Sequence, residues 1–163
     1  MNKQLSYYDS PIGRLTIIIE ARDGADALTM LGFVCDGQPK DAVVCGQDNH
    51  PPLIAKTIKQ LDEYFAGTRT DFDLPLSLQG TDFQKSVWQA LRQVPFGKTE
   101  SYGQLAKRIG KPKAARAVGS ANNKNPIALI IPCHRIIGAK GALVGYRGGL
   151  EAKTALLQLE GFK

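Results

Sequence analysis

The sequence predicts an α/β (α+β) protein: a small N-terminal mixed sheet with a covering helix, then a mostly helical C-terminal domain. Strand-like runs bounded by turn residues cluster near the N-terminus, whereas helical spacing with helix-start signals prevails after residue 80. A turn-rich stretch without a period, residues 67–80, separates the two. We therefore expect an N-terminal α/β domain over residues 1–75 and a C-terminal domain over residues 80–163.

The N-terminal domain is expected to combine a hairpin-rich sheet with one helix. The turn-forming residues 10–13, Ser-Pro-Ile-Gly, precede a predicted strand from Leu15 to Glu20, and residues 27–34 form a partner strand. Apolar residues at helical spacing predict a helix that covers the sheet, with Gly67 as its C-cap; they are Ile54, Ile58, Leu61 and Phe65.

Helix-start signals dominate the C-terminal domain. The capping box "TDFQ", residues 81–84, opens a helix that ends before Pro95 and carries the apolar stripe Phe83, Val87, Leu91 and Val94. A second capping box, "SYGQ" at 101–104, opens a short helix that Gly110 stops. A third helix follows Pro112 and runs to residue 121, so that the pair resembles a helix-turn-helix.

The rest of the C-terminal domain is expected to hold the site. The apolar run "NPIALIIP", residues 125–132, predicts a buried strand that ends at Pro132, directly before Cys133. A hairpin-like stretch, residues 136–149, and a final helix from Glu151 to Glu160 complete the chain.

The positive charge lies in one half of the chain. The net charge is +6, yet residues 1–80 carry 7 Lys/Arg against 11 Asp/Glu, and residues 81–163 carry 14 against 4. No acid lies between Glu100 and Glu151, and the helix pair is crowded with cations: Lys107, Arg108, Lys111, Lys113 and Arg116. Phosphate contact explains this better than a solvated basic face, so we expect a nucleic acid as partner.

Composition argues against several other classes of protein. No apolar stretch approaches the roughly 20 residues of a membrane span, and the N-terminus lacks a signal-peptide core, so we expect no membrane partner and a cytoplasmic location. Three cysteines are too few for a disulfide framework and should be reduced. Cys35, Cys45 and His50 fit no compact zinc motif, so no metal is expected, and the first two are interpreted as inert.

Cys133-His134-Arg135 carries the candidate chemistry. A thiol with a pKa near ~8.5 is only roughly 3% thiolate at neutral pH. His134, Arg135 and the basic half favour the anion, and an acid such as Glu160 could orient the imidazole. Neighbouring residues on a strand face opposite ways, so a bridging water would join thiol and imidazole unless the strand has already ended. The alternative is an inert buried thiol.

The stretch "IPCHR", preceded by "RAVGSANNKNP" and followed by "GYRGG", resembles the signature of the O6-alkylguanine-DNA alkyltransferases. The resemblance runs from about Thr81 to Glu160, and the length is similar to that of the stand-alone form. It implies a suicide reaction in DNA repair: the cysteine takes the alkyl group from O6 of guanine and stays alkylated, with no cofactor. The implied partner is double-stranded DNA carrying O6-alkylguanine, with O4-alkylthymine as an alternative lesion, bound by a protein that is monomeric when free.

The same resemblance implies a role for individual residues. Cys133 is the acceptor, His134 the base acting through a water with Glu160 behind it, and Asn125 holds the turn. Tyr102 hydrogen-bonds the flipped guanine and helps protonate the departing base, while Arg116 is inserted where the nucleotide left. Further DNA contacts are implied at Ser101, Lys113, Ala115, Ala117 and Gly119, and the pocket at Tyr102, Ile136, Tyr146 and Arg147.

Two features of the sequence depart from the family pattern. Arg147 stands where some members carry a small hydroxyl residue that assists at the guanine oxygen, and the zinc ligands of some members are not recognisable.

Two other functions are alternatives to alkyl transfer. A non-catalytic binder of alkylated DNA is disfavoured by the presence of Cys133. A multi-turnover thiol enzyme such as a cysteine hydrolase is disfavoured by the basic helix pair and by the lack of a separate histidine beyond His50.

Overall fold

The computed structural model describes residues 3–33, 42–45, 50–138, 146 and 149–161. The chain divides into two compact units, Met1–Leu78 and Gln79–Lys163. The division lies inside the turn-rich stretch at 67–80. Each unit combines a small sheet with helices, so the α+β expectation is confirmed.

The first unit contains a mixed four-stranded sheet. Its strands are β1 (Lys3–Ser10), β2 (Gly13–Arg22), β3 (Ala25–Phe33) and β4 (Ala42–Val44), in the order β3-β2-β1-β4. β1 and β3 pair antiparallel with β2, and β4 pairs parallel with β1. The predicted turn is confirmed, since the Ser10 hydroxyl donates to the Gly13 carbonyl at 2.5 Å and Gly13 has φ +127°.

A helix packs against this sheet as predicted. Helix α1 (Pro52–Phe65) packs on β1, β2 and β3 and buries Leu53, Ile54, Leu61 and Tyr64. Gly67 follows it with φ +82°, a conformation that glycine adopts without the steric penalty of a side chain.

The second unit arranges short helices around one apolar core. The helices are α2 (Asp82–Leu91), α3 (Tyr102–Arg108), α4 (Ala115–Asn123) and α5 (Leu150–Leu159). Both predicted capping boxes are present, one closed by Thr81 and Gln84 and the other by Ser101 and Gln104. α2 ends at Leu91, three residues before the end of the predicted stripe, yet Val94 is still buried.

A two-stranded parallel sheet ties the start of α3 to the cysteine segment. Strand β5 (Glu100–Ser101) pairs with β6 (Ile136–Ile137), in register Glu100 to Ile136 and Ser101 to Ile137. Because β6 directly follows the Cys-His-Arg tripeptide and β5 directly precedes Tyr102, the pairing brings these two parts of the chain side by side.

The prediction of a strand at residues 125–132 is wrong, because this segment forms a compact buried turn. The Asn125 side chain accepts a hydrogen bond from the Ile127 amide at 2.9 Å and donates to the Ile131 carbonyl at 2.7 Å. The Ile131 amide in turn donates to the Ile127 carbonyl at 3.0 Å, and Leu129 has φ +71°. The asparagine therefore satisfies backbone groups that a strand would pair with a neighbour, while the apolar side chains remain in the core.

The remaining expectations concern the end of the chain. The final helix is confirmed, beginning at Leu150, one residue earlier than predicted. Most of the hairpin-like stretch at 136–149 lies outside the described residues. Within the described ranges, no helix is both long enough and apolar enough to span a lipid bilayer.

Candidate active site

Cys133 lies at the start of a buried 3₁₀ turn, Cys133–Arg135. Its amide donates to the Ile131 carbonyl at 2.8 Å, so the asparagine-organised turn before it fixes where the thiol sits. The residue is 7% exposed and is not disulfide-bonded. A tripeptide that turns here, rather than continuing as a strand, holds all three side chains inside the unit.

His134 and Glu160 form a buried hydrogen-bonded pair. Nε2 of His134 lies 2.7 Å from Oε2 of Glu160, and neither side chain is exposed. Burial lowers the pKa of His134, against the carboxylate of Glu160, which favours the charged form. The imidazole is therefore neutral at neutral pH, with Nε2 donating to the carboxylate. Among the described residues, Nδ1 has no hydrogen-bond partner, although it is buried.

Arg135 binds Glu160 through two hydrogen bonds. Its Nε donates to Oε1 at 2.7 Å and Nη2 donates to Oε2 at 3.1 Å, while Nη1 donates to the Val94 carbonyl at 2.7 Å. The guanidinium also lies 5.7 Å from the centroid of the Phe96 ring. A buried carboxylate needs a cation, and Arg135 supplies it. Arg135 therefore binds the carboxylate that accepts from His134.

Lys153 is a buried cation that the sequence pattern did not single out. It is 0% exposed, and its Nζ donates to the Ile136 carbonyl at 2.5 Å. Burial lowers the pKa of Lys153, whereas the charge of Cys133 raises it, so the lysine and the thiolate attract one another. The available signal was its position seven residues before Glu160, which places both on one face of the predicted helix from Glu151 to Glu160.

Tyr102 is the first residue of α3 and its ring lies against α4. The ring packs over Gly119, where an added Cβ would lie 3.6 and 3.7 Å from two ring carbons, in ordinary van der Waals contact. Burial raises the pKa of Tyr102, the Cys133 charge raises it further, and a hydrogen bond from the Asn122 side chain opposes both. Asn122 is a second residue that the sequence pattern did not single out; its only signal was an amide at a buried helix position.

The residues expected to contact DNA lie on or beside α4. Lys113, Arg116 and Ala117 are exposed, Ala115 and Gly119 are half-buried, and Ser101 caps α3. α3 and α4 pack against each other. Arg108 is exposed, but its guanidinium binds Glu100, Gln93 and the Ala90 carbonyl. It therefore ties α3 to α2 and β5, and the expectation that it contacts a phosphate is not supported.

The structure brings together Cys133, His134, Glu160 and Tyr102, with Asn125 supporting the turn before the thiol. Ile136 is fully buried in β6, and the Tyr146 hydroxyl is buried as well. Arg147 and Cys35 lie outside the described residues.

In the part of the chain that the structure describes, no three His, Cys, Asp or Glu side chains form a group that could hold a metal ion. Nε2 of His50 lies 2.9 Å from the Ser6 hydroxyl.

Two family descriptions match nearly the whole chain. The "6-O-methylguanine DNA methyltransferase, ribonuclease-like domain" matches residues 4–78, and the "6-O-methylguanine DNA methyltransferase, DNA binding domain" matches residues 82–162.

Individual relatives are similar over most of their length. The methylated-DNA--protein-cysteine methyltransferase of Mycolicibacterium paratuberculosis is 50% identical over 152 residues, which cover 93% of this chain and 88% of the relative. The protein of the same name from Methanosarcina acetivorans is 46% identical over 154 residues, covering 94% and 96%. The crystal structure of Mycobacterium tuberculosis OGT in complex with DNA superposes with a TM-score of 0.85 at 48% identity, covering 96% of this chain and 92% of that one.

Proposed function

The chain belongs to the 6-O-methylguanine DNA methyltransferase family, and on that premise we propose that Cys133 is its alkyl acceptor. The protein binds DNA and repairs it by transferring an alkyl group to one of its own cysteines, as a methylated-DNA--protein-cysteine methyltransferase. The observation that carries the assignment of Cys133 is the buried pair of His134 and Glu160 beside it, with Nδ1 of the neutral imidazole left as an acceptor.

The first step makes the thiolate. The proton of the Cys133 thiol passes through one water molecule to Nδ1 of His134, and Glu160 stabilises the imidazolium through Nε2. Arg135 balances the charge of Glu160, because its guanidinium donates two hydrogen bonds to that carboxylate. Lys153 adds a positive charge near the sulfur.

The second step moves the alkyl group. The thiolate sulfur forms a bond to the alkyl carbon as the bond from that carbon to O6 of guanine breaks, and the electron pair leaves with the base. Full ionisation of Cys133 raises the reactive fraction only about 30-fold, so activation of the leaving group must supply the rest. The Tyr102 hydroxyl donates to the departing base and provides that activation. The product thioether is stable, so each molecule acts once.

The base must leave the duplex to reach this site. Cys133 is buried, and extruding a nucleotide costs a few kcal/mol, less for a poorly paired damaged base. Arg116, exposed in the first turn of α4, is proposed to occupy the gap that the base leaves. The proposed substrate is duplex DNA with O6-alkylguanine, O4-alkylthymine being the alternative lesion. The proposed free state is a monomer in the cytoplasm, where thiols stay reduced.

Mass spectrometry tests the acceptor. The protein is incubated with duplex DNA containing one O6-methylguanine, and its intact mass and peptide map are recorded. We expect one added methyl group on the peptide with Cys133, and repair that stops at one lesion per protein. Cys133→Ala should lose transfer but keep DNA binding, while Cys45→Ala, which alters a half-buried cysteine of the first unit, should behave as wild type.

Two outcomes would contradict this assignment. An unmodified wild-type protein that binds the lesion tightly would support the non-catalytic binder. Repair of more than one lesion per protein would indicate a multi-turnover enzyme instead.

A further inference from the structure

Asn122 is a buried amide that packing alone does not explain. It lies in the last turn of α4 and is 3% exposed. Its Oδ1 has no hydrogen-bond partner among the residues that the structure describes. A buried carbonyl oxygen without a donor costs stability, whereas leucine, which has nearly the same shape, would fill the site without that cost. Burial of Oδ1 therefore disfavours an amide at this position, which leaves its nitrogen as the atom with a role to explain.

The Asn122 side chain lies on the same face of α4 as the Tyr102 ring. The Tyr102 ring lies over Gly119, and Asn122 follows three residues later on the same face of α4. The hydrogen bond of the Asn122 side chain favours the ionised form of Tyr102, from which we infer that the amide nitrogen is the donor and the hydroxyl oxygen the acceptor. An oxygen that accepts from Asn122 keeps its own O–H for another acceptor. Without the amide, the hydroxyl would be free to rotate.

We propose that Asn122 is a positioning residue for alkyl transfer: it holds the Tyr102 hydroxyl so that its proton faces the departing guanine. The proposal rests on the function given above for Tyr102 and Cys133. Asn122 touches neither the sulfur nor the alkyl carbon. It acts by fixing the direction of a donor before the reaction, so that no reorientation is needed as negative charge develops on the base.

Single-turnover kinetics test the proposal in intact protein with duplex DNA containing O6-methylguanine. Asn122→Leu should lower the rate of methyl transfer at saturating DNA about tenfold, the effect of one well-placed hydrogen bond. The DNA concentration that gives half the maximal rate should stay within about twofold, because the amide does not bind the duplex. Asn123→Leu, an exposed asparagine at the next position of α4, is the matched control and should leave both constants unchanged.

Two further readouts separate positioning from a structural role. In a Tyr102→Phe background, Asn122→Leu should have no additional effect on the rate, since there is no hydroxyl left to orient. The melting temperature of Asn122→Leu should equal or exceed that of wild type, because the unpaired buried carbonyl is gone. If leucine prevents folding, Asn122→Ala carries the same kinetic comparison.

The outcomes distinguish the proposed role of Asn122 from the proposed alkyl transfer to Cys133 on which it rests. Wild-type transfer to Cys133 with an unchanged rate in Asn122→Leu would overturn the role of Asn122 alone. A slower rate that persists in the Tyr102→Phe background, with a lower melting temperature, would also overturn it and indicate a packing role. No methyl group on Cys133 of the wild-type protein would overturn the proposed function and, with it, this inference.

Discussion

At the scale of single residues, the chemistry depends on which charges are buried together. His134, Arg135, Lys153 and Glu160 are all buried in the second unit, yet they include only one carboxylate. Glu160 accepts from both His134 and Arg135, so its charge is balanced by the guanidinium and the imidazole can stay neutral. A neutral imidazole next to the thiol is the form that can accept a proton.

The lowered pKa of His134 predicts a dependence of stability on pH. Burial places its folded pKa below the unfolded value of about 6.5, so between the two values the unfolded chain binds more protons. The free energy of unfolding should therefore fall as pH drops below about 6.5, with His134 contributing up to about 1.4 kcal/mol per pH unit. Urea denaturation at several pH values measures this.

Variants of the two histidines identify the source of that slope. His134→Gln should flatten it below pH 6.5, because its side chain does not titrate. His50→Gln, which changes the other histidine of the chain, should retain the slope, since it leaves His134 in place. Equal slopes in wild type and His134→Gln would show that the carboxylates, and not this imidazole, govern the acid response.

At the scale of elements, the turn at residues 125–132 positions Cys133, whereas helix α4 carries Arg116. The turn places Cys133 through two side-chain hydrogen bonds of Asn125. The sequence predicted a strand there, because an unbroken apolar run is compatible with a buried strand and with a buried turn alike. The residue that decided between them was the polar one at its start, whose amide replaces the pairing that a sheet would provide.

Arg116, on helix α4, is predicted to assist extrusion of the damaged base. Its side chain is exposed in the first turn, where it can fill the space of an extruded base. Arg116→Ala should slow repair of O6-methylguanine in duplex DNA by about tenfold or more, because extrusion costs a few kcal/mol, and should leave attack on free O6-benzylguanine within about twofold. Rates of Cys133 alkylation with the two substrates measure this.

A surface charge on the other unit provides the control. Lys56→Ala removes an exposed cation on α1 of the first unit and should change neither rate. Equal losses on duplex and free base in Arg116→Ala would contradict a role in base extrusion and place the arginine in the chemistry or the packing.

At the scale of the whole molecule, charge is divided along the chain. The second half carries the excess of cations, and four of those in the helix pair are exposed and available to phosphates: Lys107, Lys111, Lys113 and Arg116. Arg108 is excluded from this set because its guanidinium is bound to Glu100. The first half of the chain is acidic and has no such excess of cations, so the affinity for DNA should depend on the second half.

Salt dependence tests this division. If the four cations each neutralise one phosphate, the logarithm of the DNA association constant should fall with the logarithm of salt concentration at a slope of about −3.6. Lys113→Ala should reduce the magnitude of that slope by about 0.9, and Lys56→Ala should not. Fluorescence anisotropy with undamaged duplex measures it, and a flat response would contradict phosphate contact by the helix pair.

The sequence by itself determined the parts of this protein that depend on near neighbours. The capping boxes at Thr81 and Ser101, the cap at Gly67 and the final helix follow from residues within four positions of one another. The motif around Cys133 likewise indicated the family and its chemistry, because its residues are contiguous in the chain.

Only the tertiary structure decided which residues that are distant in sequence contact one another in the core. It paired Arg135 with Glu160, 25 positions away, and set Lys153 on the Ile136 carbonyl and Asn122 on Tyr102. Local spacing cannot specify such partners, since a buried charge or amide binds whichever complementary group packing brings to it. The chain's local pattern therefore predicts the nucleophile and its base, whereas the fold determines which buried groups lie around them.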